Sequence, residues 1–256
     1  MVDVHCHILP GLDDGAMDVK ESLAMAQSAI SDGITHVVAT PHASTEFKFD
    51  YRRVRELHGQ LQRLLGERLV LATGCDFHLN MENLEALRKD PTHFCINQLN
   101  YLLVEFSEYS IPPNTGHTLH AMKLTGLHPI ITHPERNGII QAQTNLLMSW
   151  VRLGCYVQVT GGSLTGTFGP KARADALRWI GMGLVHFVAS DAHNTRGRPL
   201  RLQPAYQVVR DEFGDAKARG LFDENPMAAF EGRELPYVPE VAVDVKAGRR
   251  KRFLFF

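Results

Sequence analysis

Cysteine is scarce in this sequence of 256 residues, and its cysteines are far apart. No two of them form a Cys-x-x-Cys pair, which argues against a zinc knuckle or a disulfide framework. Cysteine-nucleophile phosphatases need an arginine six residues after the cysteine to wrap the phosphate, and no cysteine here has one. The cysteines are Cys6, Cys75, Cys95 and Cys155, and the residues at that offset are Leu12, Met81, Tyr101 and Gly161. That chemistry is excluded, and we expect the cysteines to be buried free thiols.

The sequence also lacks a strong charge of either sign and any long apolar run. Its net charge is -1, so it has no electrostatic footprint for nucleic acid. No uninterrupted apolar run approaches the ~20 residues of a transmembrane helix. The first residues carry neither the basic nor the apolar region of a signal peptide. We therefore expect a cytoplasmic protein that does not bind nucleic acid.

The sequence does contain short apolar runs that alternate with longer stretches of helical periodicity. The predicted strands are residues 2–5, 36–40, 69–73, 101–105, 129–132, 156–160 and 186–189. The predicted helices are residues 18–31, 51–65, 115–125, 139–153 and 170–181. This alternation is typical of a parallel sheet with crossover helices, and seven such units predict a closed or nearly closed α/β barrel. No low-complexity linker divides the chain, so we assign residues 1–256 to one domain.

Histidine, with 13 residues, is the one unusual count, and several histidines follow predicted strands. Six of the seven strands deliver side chains that can bind a metal ion, all at the C-terminal end, where α/β barrels build their active sites. In chain order these are His5, His7, Asp13 or Asp14, His42, Asp76, Glu105, His133, Asp191 and His193. A single His-x-His pair is weak evidence for a metal site. Candidate ligands at the ends of six separate strands are strong evidence, and they outweigh the alternative that these are ordinary core or surface polar residues.

The mixture of imidazole and carboxylate groups predicts a metal-dependent hydrolase. Such ligands suit zinc, manganese or iron better than an ion that prefers only oxygen. About nine candidates exceed the needs of one tetrahedral site, so we expect two or three divalent ions. These ions lower the pKa of water from about 16 to about 7, which supplies hydroxide at neutral pH. Arg136 and Arg198 lie in the same loops, and because a guanidinium can clamp two phosphoryl oxygens, they favour a phosphate ester over an amide.

At these residues the sequence resembles the polymerase and histidinol phosphatase (PHP) superfamily. More narrowly, it is similar to the bacterial manganese-dependent protein-tyrosine phosphatases of capsule and exopolysaccharide operons. The resemblance spans roughly residues 1–235. The matching segments are residues 3–15 (Asp-Val-His-Cys-His through Asp-Asp-Gly), 39–42 (Ala-Thr-Pro-His), 101–106, 133–137 (His-Pro-Glu-Arg-Asn) and 190–194 (Ser-Asp-Ala-His-Asn).

The resemblance implies a distorted seven-stranded (β/α)7 TIM-like barrel with a trinuclear site. One ion would be held by His5, His7, Asp76 and Asp191, a second by Asp76, Glu105 and His133, and the third by Asp13, His42 and His193. Spacing from His5 favours Asp13 over Asp14 as the ligand. Arg136 and Arg198 match phosphate-binding arginines of the family. Where the family commonly has glutamate this chain has Asp76, whose carboxylate must move about 1.5 Å closer to bridge two ions.

Manganese is the expected metal, with zinc or iron as alternatives, and protein phosphotyrosine is the expected substrate. The usual family substrate is a membrane-associated tyrosine kinase, so we expect such a kinase as the partner. Tyrosinate is a leaving group that needs little protonation, and Asp14 or a water on the ions are the candidate general acids. The tail, about residues 246–256, joins basic to apolar residues and can contact a membrane or a partner weakly, although a frayed terminus is commoner.

Other functions remain open at this point. The first alternative is a small-molecule phosphatase of the histidinol-phosphate type, which a deep, narrow pocket would favour. A metal-dependent amidohydrolase is disfavoured by the two arginines and by the lack of a candidate barrel lysine. A non-catalytic PHP-like module should lack several ligands, whereas here nearly every position is filled. The glycine-rich residues 160–166 are either a phosphate-approaching loop or an ordinary one.

Overall fold

The computed structural model describes residues 1–241, and these form an α/β structure in which every strand pair is parallel. The predicted membrane-contacting tail, about residues 246–256, lies outside the described residues. The strands are β1 (Val2–Cys6), β2 (His36–Ala39), β3 (His42–Ala43), β4 (Val70–Thr73), β5 (Asp76–His78), β6 (Tyr101–Glu105), β7 (His128–Thr132), β8 (Tyr156–Thr160) and β9 (Phe187–Ala189).

Helices connect the strands and cover the outside of the sheet. The α-helices are α1 (Val19–Ser31), α2 (Tyr51–Leu65), α3 (Met81–Lys89), α4 (Thr115–Leu124), α5 (Gly138–Ala142), α6 (Thr144–Arg152), α7 (Gly161–Thr165), α8 (Gly169–Gly181), α9 (Gln203–Phe213), α10 (Asp215–Arg219) and α11 (Asn225–Phe230). Short 3-10 turns cover Pro91–His93, Ile96–Gln98 and Pro134–Arg136, and a π-helical turn covers Gly220–Glu224. Among the described residues no helix is both long and apolar enough to cross a membrane.

The nine strands occupy seven positions around the barrel, because two of these positions hold two short strands one after the other. One sheet has the order β1-β2-β4 and the other β3-β5-β6-β7-β8-β9. The strand β3 continues β2 beyond Pro41, which has no N–H to donate to a ladder, and β5 continues β4 beyond Gly74. A Cβ on Gly74 would lie 3.1 Å from the Val38 side chain, so this crowded crossing needs glycine. The ring is completed where His7 N–H donates to Ala192 O and Asp191 N–H to His5 O, both at 2.8 Å.

Helix caps explain where the predicted helices begin. The Asp18 carboxylate accepts from the Glu21 N–H at the start of α1, and Asp50 accepts from the first N–H groups of α2. The predicted helix 139–153 is two helices in the structure, α5 and α6. They are divided at Gln143, whose φ of -130° and ψ of 59° are not helical.

The barrel interior holds a buried cluster separate from the layer between strands and helices. It takes one or two residues from most strand positions, among them Val4, Val38, Leu103, Ile130 and Phe187. Alternate residues on the same strands pack outward against the helices, as expected of strands buried on both faces. The predicted α/β barrel architecture is confirmed.

Candidate metal and phosphate site

A bulge in β1 aims two histidines into the cluster at the carboxyl ends of the strands. Asp3 pairs with Val37 and Cys6 with Ala39, so three steps on β1 match two on β2. The extra residue switches the inward face of the strand. Val4 packs inside the barrel, Cys6 packs outside it, and His5 lies beside the site together with His7.

The first group of donor atoms surrounds His5 and His7. His5 Nε2 lies 3.4 Å from both Asp76 Oδ2 and Asp191 Oδ1, and His7 Nε2 lies 3.4 Å from Asp191 Oδ1. An ion with bonds of about 2.1 Å separates its ligands by about 3.0–3.4 Å, so these distances fit a shared cation. All four side chains are almost completely buried.

The second group lies around Asp76 and Glu105. Asp76 Oδ2 is 3.3 Å from His42 Nδ1 and 3.9 Å from His133 Nε2. Glu105 Oε2 is 3.7 Å from His42 Nδ1, and its Oε1 is 3.7 Å from His133 Nε2. One Asp76 oxygen therefore faces three imidazoles, those of His5, His42 and His133, so the shorter side chain still reaches the centre of the cluster.

The third group contains Asp14 where the sequence favoured Asp13. Asp14 Oδ1 lies 3.4 Å from His42 Nε2 and 3.3 Å from His193 Nε2, and with His7 these residues form a set whose donors all lie within 4.8 Å of one another. Interactions with His193 and His42 hold the pKa of Asp14 well below its usual range. An ionised carboxylate suits cation binding, whereas the general-acid role expected of Asp14 needs its protonated form.

Asp13 faces the protein and not the cluster. Its Oδ2 lies 2.7 Å from His7 Nδ1 and accepts from the His42 backbone N–H, while its Oδ1 accepts from the Gly15 N–H. Both oxygens are thus engaged, and the carboxylate orients the His7 ring, as outer carboxylates do for metal-binding histidines. By this geometry Asp14, and not Asp13, has an oxygen directed at His42 and His193, so which of the two aspartates binds a cation stays a prediction.

Several buried polar atoms of the cluster lack a hydrogen-bond partner among the described residues. They include His42 Nδ1, both carboxylate oxygens of Asp76 and His193 Nε2. Leaving such groups unpaired costs free energy, so unpaired donors gathered in one cluster indicate a place where cations bind. Together with the mixed imidazole and carboxylate chemistry, this indicates that the residues fit divalent metal ions.

Electrostatics in the metal-free cluster favour ionised carboxylates. Burial disfavours a charged His5, but Asp76 and Asp191 outweigh burial and raise its pKa to about 9. Burial opposes the charge on His42 as well, but the nearby carboxylates of Asp14 and Asp76 raise its pKa to about 11. Burial works against ionised Asp76 and Asp191, yet the His5 charge keeps both pKa values well below their usual range. An ion that binds here takes the place of these imidazole protons.

Two arginines border the cluster on its Asp191 side. Arg136 Nη1 and Arg198 Nη2 both donate to Asp191 Oδ2, while Asp191 Oδ1 faces His5 and His7. The Arg198 Nε is buried without a hydrogen-bond partner in the described part of the chain. His133 and Asp191 have φ of 31° and 51°, values that are strained for residues other than glycine and are found at functional sites.

Four further residues of the site were not predicted from the sequence. Gln158, from the strand thought to lack a ligand, has its Oε1 3.0 Å from His5 Nδ1 and orients that ring. His78 Nδ1 lies 3.5 Å from Glu105 Oε2. Glu135 is buried and accepts from Thr160 and Ser163, and Phe168 lies beside Arg136. A glutamine within an apolar strand is a signal that could have been noticed, whereas the other three depend on tertiary contacts.

The fold and the site together define a class: an α/β-barrel protein with imidazole, carboxylate and arginine groups gathered where the strands end. Within that class, the sequence pattern of the family described as "Capsular polysaccharide synthesis, CpsB/CapC" matches residues 1–231. The chain belongs to this family.

One curated relative matches this chain over its whole length. The tyrosine-protein phosphatase YwqE of Bacillus subtilis is 36% identical over 260 residues, which is 100% of both chains. A crystal structure from a study of YwqE from Bacillus subtilis and CpsB from Streptococcus pneumoniae, described as metal-dependent tyrosine phosphatases, has a TM-score of 0.88. It is 35% identical and covers 95% of this chain and 100% of the other.

A more distant structure bears on the alternative substrate. The histidinol phosphate phosphatase of Lactococcus lactis, solved with zinc, L-histidinol and phosphate, has a TM-score of 0.54 at 10% identity. It covers 82% of this chain and 94% of its own. At this identity the likeness shows a shared fold and does not favour histidinol phosphate as the substrate.

Proposed function

We propose that this protein is a metal-dependent protein-tyrosine phosphatase that acts in capsular or exopolysaccharide synthesis. The observation that carries the proposal is the position of Asp191. One oxygen of this carboxylate faces His5 and His7, and the other holds Arg136 and Arg198. A cation cluster and a pair of anion-binding groups thus share one residue, which is the arrangement needed to hold a phosphate ester against metal ions.

Two or three manganese ions fit the donor groups, and each group of donors gives one site. The sites consist of His5, His7, Asp76 and Asp191; of Asp76, Glu105 and His133; and of Asp14, His42 and His193. When bound, such ions supply water of lowered pKa and offset the charge of the phosphoryl group. Asp76 is the residue shared between the first two sites.

The arginines bind and orient the phosphoryl group. Asp191 fixes one nitrogen of each guanidinium and leaves the remaining N–H groups for the non-bridging oxygens. The buried Arg198 Nε, which has no partner in the described structure, is an available donor for this purpose. Both side chains are about a quarter exposed, so the ester reaches them from the open side of the site.

The leaving group of a phosphotyrosine ester needs little protonation from the protein. Tyrosine has a pKa of about 10, so tyrosinate departs with less protonation than an alkoxide requires. Interactions with His193 and His42 keep the pKa of Asp14 low, which makes it a poor proton donor. An aryl phosphate is therefore the ester that suits a site in which Asp14, Asp76 and Asp191 have lowered pKa values.

The exposure of the site favours a peptide over a small phosphate. Asp14 is 51% exposed and Glu105 21% exposed on the outer side of the cluster. A partly open mouth admits a side chain that is attached to a protein, whereas histidinol phosphate would be served by a closed pocket.

The decisive comparison uses two substrates. We expect manganese-loaded protein to release phosphate from a phosphotyrosine peptide and not from histidinol phosphate, and we expect His42→Ala to abolish the release. Free phosphate and metal content are measured together, so that lost chemistry is separated from lost metal. Hydrolysis of histidinol phosphate alone would overturn the substrate assignment and leave the metal chemistry intact.

The biological setting is also part of the proposal. A membrane-associated tyrosine kinase is the proposed substrate protein, the proposed location is the cytoplasm, and the chain is proposed to act as a single domain. Support for the setting comes from the family, whose name refers to capsular polysaccharide synthesis.

A further inference from the structure

The glycine-rich segment after β8 is joined to the turn that carries Arg136. The neighbouring residue Glu135 is buried, and its Oε1 accepts from the Thr160 N–H at 2.8 Å and from the Ser163 hydroxyl at 2.7 Å. These bonds fix residues 160–168 relative to the arginine turn. The segment ends in Phe168, so this ring has a defined position beside the site.

Phe168 contacts both arginines through its ring. The Arg136 Cζ lies 4.3 Å from the ring centroid and the Arg198 Cζ lies 5.9 Å from it. Both distances are within the ~6 Å over which a guanidinium is attracted to an aromatic face. The two positive groups donate to one oxygen of Asp191 and repel each other, so the attraction of the aromatic ring adds to that of the carboxylate in keeping them together.

The position of the ring is itself set by close packing. A Cβ on Gly162 would lie 2.9 Å from Phe168 Cε2, so the ring rests directly against the backbone of a residue that has no side chain. The half-buried ring therefore has one side on Gly162 and its aromatic face near the guanidinium groups. The missing side chain at Gly162 thus allows the ring to pack directly on the backbone.

We propose that Phe168 is a positioning residue that holds the guanidinium groups of Arg136 and Arg198 in the geometry that binds the phosphoryl group. The inference rests on the proposed function, because it assumes that the two arginines bind phosphate. It assigns to Phe168 an effect on phosphoryl binding that is separate from metal binding, since the ring lies beside the two arginines and not on a residue proposed to bind a metal ion.

The test measures inorganic phosphate as a competitive inhibitor of the manganese-loaded protein. Phe168→Leu and Phe168→Met remove the aromatic face, so we expect the inhibition constant and the KM for a phosphotyrosine peptide to rise roughly 5- to 30-fold. Phe168→Tyr keeps the face and should stay near wild type. Metal content and Tm should be unchanged in all three variants.

A matched control is available at Phe213, whose ring lies 5.2 Å from Lys217 Nζ on a different helix. Phe213→Leu should leave phosphate binding unchanged. Unchanged phosphate affinity in the folded Leu and Met variants would overturn the proposal, as would an equal loss in Phe168→Tyr or a loss of metal that accounts for the effect.

A binding measurement separates failure of the positioning role from failure of the proposed phosphatase function. Calorimetric titration of the manganese-loaded protein with phosphate detects binding without turnover. If wild type binds phosphate but does not hydrolyse the peptide, the substrate assignment fails, and weaker binding by Phe168→Leu still supports the positioning role. If wild type binds manganese but not phosphate, both proposals fail.

Discussion

Asp13 and Asp14 are adjacent in sequence but face opposite surroundings. Asp13 is buried, with its oxygens bound to His7 and to two backbone N–H groups, whereas Asp14 is half exposed and faces His42 and His193. The same chemical group therefore has two uses. One aspartate orients a histidine, and the other is available to a cation.

This difference predicts opposite results for two alanine variants. Asp14→Ala removes a donor from the third group, so we expect it to retain about one metal equivalent fewer than wild type after dialysis. Asp13→Ala leaves the donors in place but frees the His7 ring, so it should keep the number of ions and bind them about 10- to 100-fold more weakly. Elemental analysis and calorimetric titration measure the two effects. Loss of an ion in Asp13→Ala with full retention in Asp14→Ala would show that Asp13, and not Asp14, is the metal ligand.

At this scale the sequence predicts well those residues whose position follows from a strand. His5, His42, Glu105 and Asp191 all lie in or just after strands, and parallel strands bring their carboxyl ends together. Spacing from His5 favoured Asp13 over Asp14, but both lie in a loop, where spacing along the chain does not fix the direction of a side chain. The contacts of Phe168 could not be predicted either, since they join segments about 30 residues apart in the chain.

Periodicity in the sequence predicts the strands and helices, but it does not predict the points at which they are interrupted. All seven predicted strand positions are strands in the structure, but two of them continue past the predicted ends, after breaks at Pro41 and Gly74, as the short strands β3 and β5. Both breaks have local backbone causes that a pattern of apolar residues does not reveal. Pro41 has no N–H to donate, and a side chain at Gly74 would crowd Val38. The bulge in β1 could not be predicted either. An inserted residue moves the following side chains to the other face of the strand, and the apolar pattern does not show where that happens. These interruptions occur in the strands that deliver His7, His42 and Asp76 to the cluster.

The junction between β8 and α7 depends on Glu135. We expect Glu135→Ala to lower the free energy of unfolding by about 1–3 kcal/mol, because the buried Thr160 N–H then loses its acceptor. Burial raises the pKa of Glu135, and its Oε2 has no partner among the described residues, so a neutral amide should replace it at little cost. Glu135→Gln is therefore the matched control.

Urea unfolding of metal-free protein measures this difference without a contribution from bound ions. Equal stability of the alanine and glutamine variants would show that the bonds to Thr160 and Ser163 do not stabilise the junction.

The whole molecule gathers one functional site from nearly every strand of the barrel. The ring of parallel strands places residues as distant in sequence as His5 and Asp191 within 3.4 Å of each other. Fold class follows from the sequence because strand and helix patterns alternate along the chain, and the family follows from the motifs that stand after the strands. The number of ions does not follow, because it depends on distances of a few tenths of an ångström among Asp76 and its neighbours.

The central claim is that this cluster binds metal ions and hydrolyses phosphotyrosine with them. The most direct measurement removes all metal with a chelator, returns manganese in steps, and follows bound metal and phosphate release from a phosphotyrosine peptide in the same samples. We predict no release from stripped protein and release that rises with bound manganese until two or three equivalents are held. Full activity in protein shown to be free of metal, or protein that binds no manganese at all, would contradict the account.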